Sequence, residues 1–244
     1  NIGWSWWPVK KAGINNVLQV PESQGYENLL SFWKVGYPSV TPDQAFDAVM
    51  DWSENHRIEN CEVKRDVIDA MIRQPHSTST IPFRTYKPGD IINAVDYDLG
   101  RSSYAYGDTD TANYHLSTNS YTAWNKGWSY RNDGVDIEKC SDTYPGSNGY
   151  SVGWTETNEW MQYSIIADSA AAYTLTIRSA SPNTDAAIVH LSVNGTDICS
   201  PFSLKSTGGW NIWSNTTLNG IILPAGKNSL RLHFDRGGSN INIF

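Results

Sequence analysis

Three tryptophan-bearing stretches hold the side chains most suited to recognition chemistry: GWSWWPVKK at residues 3–11, VGWTETNEW at 152–160 and TGGWNIW at 207–213. An indole joins a flat apolar face to one N–H donor, which suits a ligand that is itself half apolar and half polar. Eleven Trp and thirteen Tyr stand against only six Phe. That balance favours groups with a polar handle, although a β-sandwich core also concentrates aromatic rings, and composition leaves both readings open. Trp154 and Trp210 sit beside glycine or polar residues of loop type. Trp160 and Trp213 lie in alternating runs and read as core. Trp124, Trp128 and Tyr130, in WNKGWSYRND, either lengthen a binding surface or brace a loop.

The other reactive types are less suggestive. Glu22, Glu27, Glu54, Glu59 and Glu62 are scattered through the first quarter of the chain and read as surface charge. Asp108-Thr109-Asp110 and Asp235 offer hard oxygen ligands, but an Asp-x-Asp in a polar stretch reads first as turn chemistry. Cys61, Cys140 and Cys199 form no Cys-x-x-Cys and no metal-ligand spacing. Cys140 and Cys199 share one half of the chain and could pair, though free buried thiols are the simpler reading. The net charge is −7, with no Lys/Arg-rich run, which argues against nucleic acid and anionic membrane surfaces as partners. No stretch approaches the roughly 18 apolar residues of a membrane span.

These residues need elements to position them, and two textures meet near PHSTSTIPFRTYKPGD, residues 75–90. Before it, helical signals dominate. Thr41-Pro42-Asp43-Gln44 combines an N-cap, a proline at the first helical position and a capping-box glutamine. Ala45, Phe46, Val49 and Met50 follow at helical spacing, predicting a helix to about His56. Asn60 is placed to cap another helix with Val63, Val67, Ile68, Met71 and Ile72 as its apolar stripe. After residue 90 the period falls to two. Tyr173, Leu175 and Ile177 alternate with polar residues, as do Val189, Leu191 and Val193, and Leu230, Leu232 and Phe234. Asn194-Gly195 supplies a hairpin turn. Short strands with regular turn signals predict a jelly-roll β-sandwich over residues 91–244, joined by a linker at 75–90 to a separate piece at 1–74.

The C-terminal piece resembles a family 6 carbohydrate-binding module. The residues that carry the resemblance are NAVDYD (93–98), YRNDGVDIE (130–138), VGWTETNEWMQY (152–163), TGGWNIW (207–213) and FDRGGSNINIF (234–244), in that order. The resemblance implies a binding cleft among loops at one edge of the sandwich. It places Trp154 and Trp210 as opposing aromatic walls and Asn240 as an amide that hydrogen-bonds sugar hydroxyls. The chemistry agrees: indole faces match the C–H face of a pyranose, and an amide matches vicinal hydroxyls. The family's first strand carries two glutamates that help to hold a structural Ca²⁺. Those positions read Asn93 and Val95, and a valine cannot ligate. No cofactor is therefore required on this reading, and a structural Ca²⁺ would have to draw on other carboxylates such as Asp108, Asp110 and Asp235.

The N-terminal piece resembles the end of a family 5 glycoside hydrolase, a (β/α)₈ barrel. GWSWWPVKK would be the eighth barrel strand, with terminal helices ending in NCEVKRDVIDAMIRQ. The resemblance implies that Trp4 floors the sugar subsite beside the scissile bond, while Trp6 and Trp7 pack. Hydrolysis with retention needs two carboxylates about 5–5.5 Å apart. In this family they are glutamates on earlier strands, so the resemblance implies no catalytic residue here and a chain that binds glycan without cleaving it. The expected whole is the targeting end of a secreted bacterial polysaccharide hydrolase acting on β-linked glucan or a related plant cell-wall glycan. The missing barrel portion of the same enzyme would be its partner. Two other readings stay open: part of an intact cellulase-like endoglycanase, and a module that adheres to surface glycans.

Overall fold

The computed structural model describes residues 8–12, 16–72, 77–109, 130–131 and 134–244. Trp4, Trp6, Trp7, Asp110, Trp124 and Trp128 lie outside them. Contacts divide the chain into two units, Asn1–Ile72 and Arg73–Phe244.

In the first unit β1 (Lys10–Ala12) runs parallel to β2 (Leu18–Val20). Ser23 caps α1 (Gln24–Val35), accepting from the Tyr26 amide at 3.3 Å, and left-handed Gly36 ends it. Next comes α2 (Pro42–Asn55), with the predicted capping box: Thr41 Oγ1 accepts from the Gln44 amide and Gln44 Oε1 from the Thr41 amide. The helices meet where Tyr26 stacks on Trp52, ring centroids 4.1 Å apart, and where Gly25 lies against Ala48. The predicted stripe points elsewhere: Phe46 is 66% exposed, Val49 43% and Met50 52%.

The predicted helix start at Asn60 is corrected. Ile58–Asn60 form a 3₁₀ turn, the Asn60 side-chain Nδ2 donates to the Glu54 carbonyl, and Val63 belongs to β3 (Glu62–Val63), antiparallel to β2. The helix, α3 (Arg65–Ile72), starts later because Val63 is held in register opposite Leu18.

The second unit is a β-sandwich. Its strands are β4 (Tyr106–Gly107), β5 (Ile137–Lys139), β6 (Tyr150–Val152), β7 (Trp160–Ala167), β8 (Ala171–Ala180), β9 (Ile188–Val193), β10 (Thr196–Asp197), β11 (Phe202–Ser203), β12 (Ser214–Leu223), β13 (Gly226–Arg236) and β14 (Asn240–Ile243). One sheet has the order β10-β9-β13-β7-β4, with β11 also on β9, and the other β12-β8-β14-β6-β5. Alternation puts Val189, Leu191 and Val193 of β9 inside with Leu230, Leu232 and Phe234 of β13, facing Ile177 and Ile241 of the second sheet. Asn194 and Gly195 both take positive φ, 52° and 81°, as a two-residue hairpin turn demands.

The interior begins before residue 91. Within the stretch read as a linker, Ile81 pairs with Leu99, and Tyr86 is 6% exposed and pairs with Ile165. Trp160 and Trp213 are half-buried and stand outside the interior cluster, contrary to expectation. Trp160 lies on the outer face of its sheet, with Arg231 over its ring at 4.0 Å and Gly107 so close behind it that an added Cβ would overlap the indole.

Buried charge inside the sandwich is matched locally. Asp96 accepts from the hydroxyls of Tyr86 and Tyr130 and pairs with Arg84. Arg131 donates to the carbonyls of Val95, Tyr97 and Asp98 and lies over the Tyr97 ring. Cys61, Cys140 and Cys199 are all free and half-buried. Cys140 follows β5 and Cys199 lies between β10 and β11, beside the opposite sheet, so the pairing left open by sequence is not made.

Candidate functional site

Where the chain crosses from one sheet to the other, three connections converge: β6–β7 (153–159), β11–β12 (204–213) and β13–β14 (237–239). They enclose a cleft of about 320 Å³ lined by Thr109, Asp136, Trp154, Thr155, Glu156, Glu159, Trp210 and Gly238. The volume lies within the range, about 300–1,000 Å³, that small-molecule sites occupy.

Trp154 and Trp210 both line this cleft, as their sequence neighbours suggested, and each is 44% exposed. Such exposure of two indoles at one concavity leaves apolar area available to a ligand. Trp154 has a positive φ of 46°, a conformation that costs a non-glycine residue on the order of 1–2 kcal/mol. Its neighbours hold it there. Gly153 N donates to the Asp136 carbonyl at 3.0 Å, and Thr155 Oγ1 donates to the Ser239 carbonyl at 2.9 Å. The same hydroxyl accepts from the amides of Gly238 and Ser239. Gly237 makes that approach possible, because a Cβ there would overlap the Thr155 carbonyl.

Trp210 is placed by a second chain of bonds. Thr207 and Ser181 exchange hydrogen bonds, and Ser181 Oγ donates to the Gly238 carbonyl at 2.6 Å. Asn240, at the start of β14, is 3% exposed. Its Nδ2 donates to the Trp210 carbonyl at 3.1 Å and to Glu138 Oε1 at 2.9 Å. The structure thus brings the three sandwich residues together but gives them different places: two indoles on the cleft and Asn240 behind one of them. Trp4 falls outside the described residues.

Three of the other six lining residues, Asp136, Glu156 and Glu159, are acidic. Glu159 is 7% exposed; its carboxylate accepts from the Thr109 amide and hydroxyl and, at 2.7 Å, from the Glu156 amide. Burial raises its pKa above the ordinary range against the pull of those bonds. Glu156 is exposed and shares the single Thr109 hydroxyl hydrogen with Glu159, its Oε2 lying 2.7 Å from Thr109 Oγ1. The sequence stretch VGWTETNEW contained both glutamates, but only the neighbouring tryptophan stood out. Thr109 and Gly238 lie far away in sequence, and their signals, a polar loop and a Gly-Gly pair between alternating runs, were too common to be specific.

Asn93 Oδ1 accepts from the Asn148 amide, Val95 is fully buried, and Asp235 is bonded to His190 Nδ1 at 2.8 Å. Among the described residues no three acidic, His or Cys side chains converge as a metal site. No described helix is long and apolar enough to cross a membrane.

The family model "Carbohydrate binding module (family 6)" matches residues 127–244. No curated protein sequence matches the chain. Solved structures similar to it include the C-terminal CBM6 of LamC, a marine laminarinase from Zobellia galactanivorans, at 23% identity and a TM-score of 0.44, covering 63% of this chain and 94% of that one. A β-1,3-glucan-binding CBM6 from Bacillus halodurans is 18% identical, with a TM-score of 0.45 and coverage of 66% and 96%. The module CBM6cm-2 of Cellvibrio mixtus lichenase 5A, in complex with cellotriose, is 24% identical, with a TM-score of 0.39 and coverage of 45% and 83%.

Proposed function

We propose that the family 6 carbohydrate-binding module of residues 127–244 grips a β-linked glucan or related plant cell-wall glycan between Trp154 and Trp210. One observation carries this reading: two half-exposed indoles on separate loops line one cleft, and a hydrogen-bonded frame behind them is already assembled. A sugar ring entering there loses water from its C–H faces, and the polar lining accepts from its hydroxyls. Little ordering remains to be done on binding, so the apolar contact appears as affinity. Trp154→Ala and Trp210→Ala are each expected to cost about 2 kcal/mol, roughly thirtyfold in affinity. Affinity electrophoresis of the full chain on soluble β-glucan, xylan and mannan checks this; retardation unchanged in both variants rejects the cleft.

The wider reading is that the module belongs to a secreted bacterial polysaccharide hydrolase and keeps a family 5 barrel near its substrate by raising effective concentration. The first unit supports it. Trp33, Phe46 and Met50 are 64%, 66% and 52% exposed, large apolar side chains of the kind that further polypeptide covers. On this reading Trp4 belongs to the barrel's sugar cleft, the catalytic pair lies outside these residues, and the chain alone hydrolyses no glycan. The module holds its shape without calcium, because Val95 and the engaged Asn93 replace two carboxylate ligands. A chelator should leave its melting temperature unchanged; a fall would show a metal bound elsewhere.

A further inference from the structure

The geometry points to a charge preference: Glu156 makes this cleft bind a β-1,4-linked glucosamine chain, protonated on its 2-amine, more tightly than the matching neutral glucan. The inference rests on the reading of the cleft as a sugar site and adds the class of sugar it prefers.

Three of the residues lining the cleft are carboxylic acids, Asp136, Glu156 and Glu159, and no Lys, Arg or His is among the described lining residues. The three differ in what they can offer. Asp136 is 4% exposed and Glu159 7%, and Glu159 has both oxygens engaged by Thr109 and the Glu156 amide. Glu156 is exposed, and one of its oxygens shares the Thr109 hydroxyl hydrogen with Glu159, while no Lys or Arg among the described residues pairs with it. A carboxylate therefore stands at the edge of a cleft walled by two indoles, beside two further acids. A sugar held there presents its ring substituents to that edge. A hydroxyl finds an acceptor, an ammonium finds an acceptor and an opposite charge, and a carboxylate or sulfate finds repulsion. The chain's net charge of −7 adds a weaker field of the same sign.

The expected size is modest because Glu156 is open to solvent. An exposed ion pair is worth up to roughly a kilocalorie, which corresponds to about a three- to fivefold gain in affinity. Added salt at about 0.5 M should remove most of it, since the screening length is then only a few ångströms.

The test uses three oligosaccharides of equal length and the same β-1,4 backbone: glucose, glucosamine and glucuronate. Titration calorimetry of the full chain at about pH 6, where a sugar amine is largely protonated, is expected to rank glucosamine over glucose by about three- to fivefold, with glucuronate weakest. In Glu156→Gln the glucosamine-to-glucose ratio should fall to about one. The charge preference is overturned if wild type shows no glucosamine advantage while glucose oligomers still bind through Trp154. It is also overturned if the advantage survives Glu156→Gln or high salt. If no oligomer binds, or Trp154→Ala binds all three unchanged, the sugar-cleft reading falls and the charge preference with it.

Discussion

Trp154, Trp210 and Asn240 occupy one small region, yet each reaches it by a different physical route. Trp154 depends on a left-handed backbone that Thr155 and Gly237 stabilise, and Trp210 on a carbonyl held by Asn240. Asn240 is more than nine-tenths buried and spends its amide N–H groups on Glu138 and the Trp210 carbonyl. Replacing it removes both hydrogen bonds, each worth about 0.5–1.5 kcal/mol. Asn240→Ala is therefore expected to lower the melting temperature of ligand-free protein by about 2–4 °C for each kilocalorie lost. A purely ligand-contacting amide would leave that temperature where it is, so calorimetry without sugar separates the two roles. Sequence brought Trp154 and Trp210 forward as flat rings beside glycine or polar loop residues, and Asn240 only through the resemblance to the family. It did not bring Thr155 or Gly237 forward, since their effect exists only where two distant loops touch.

At the scale of elements, the outer face of the six-stranded sheet carries a second cluster of titratable groups. His190 of β9 stacks on His233 of β13, with centroids 4.5 Å apart, while Asp235 and Asp197 approach His190 and Arg231 lies next along β13. Burial lowers the His233 pKa, helped by His190 and Arg231 and opposed by Asp197 and Asp235. The unfolded chain takes up this proton near the ordinary value of 6.5, whereas the folded chain refuses it until the pH is lower. Stability is thus lost as pH falls from 6.5 through the lowered value. The melting temperature should drop between about pH 7 and about pH 5.5, and His233→Gln should flatten that slope. An equal slope in the variant would remove His233 as its source. The second sheet adds a loss at lower pH. Burial alone would raise the Asp142 pKa, but hydrogen bonds from Arg178 and Asn242, with the Arg178 charge, hold it below its ordinary value. Its contribution disappears only as pH falls below that range.

Across the whole molecule the two units differ in how well they bury apolar groups. The sandwich closes its strands over Tyr97, Tyr163 and Phe234, each 2% exposed or less. The first unit leaves Trp33, Val35, Tyr37, Phe46 and Met50 more than half exposed. Local opening follows low burial, so limited proteolysis of dilute protein should degrade residues 1–72 first and leave a resistant fragment near 73–244. Equal resistance of both units would show that the first is stable as it stands.

The sequence by itself determined what local chemistry can determine. The Thr41 to Gln44 capping box, the Asn194-Gly195 turn and the period-two runs of β9 and β13 each depend on residues a few positions apart, and each appears in the structure. Tertiary structure decided the rest. The helical spacing of Phe46, Val49 and Met50 specifies a face but not what lies against it. Val63 entered a strand because Leu18, far away in sequence, holds it in register. Trp160 alternates like a core residue, yet the pleat turned it outward beneath Arg231. The cleft depends most on tertiary structure: its lining runs from Thr109 to Gly238, and only the crossing of chain between two sheets brings those loops together.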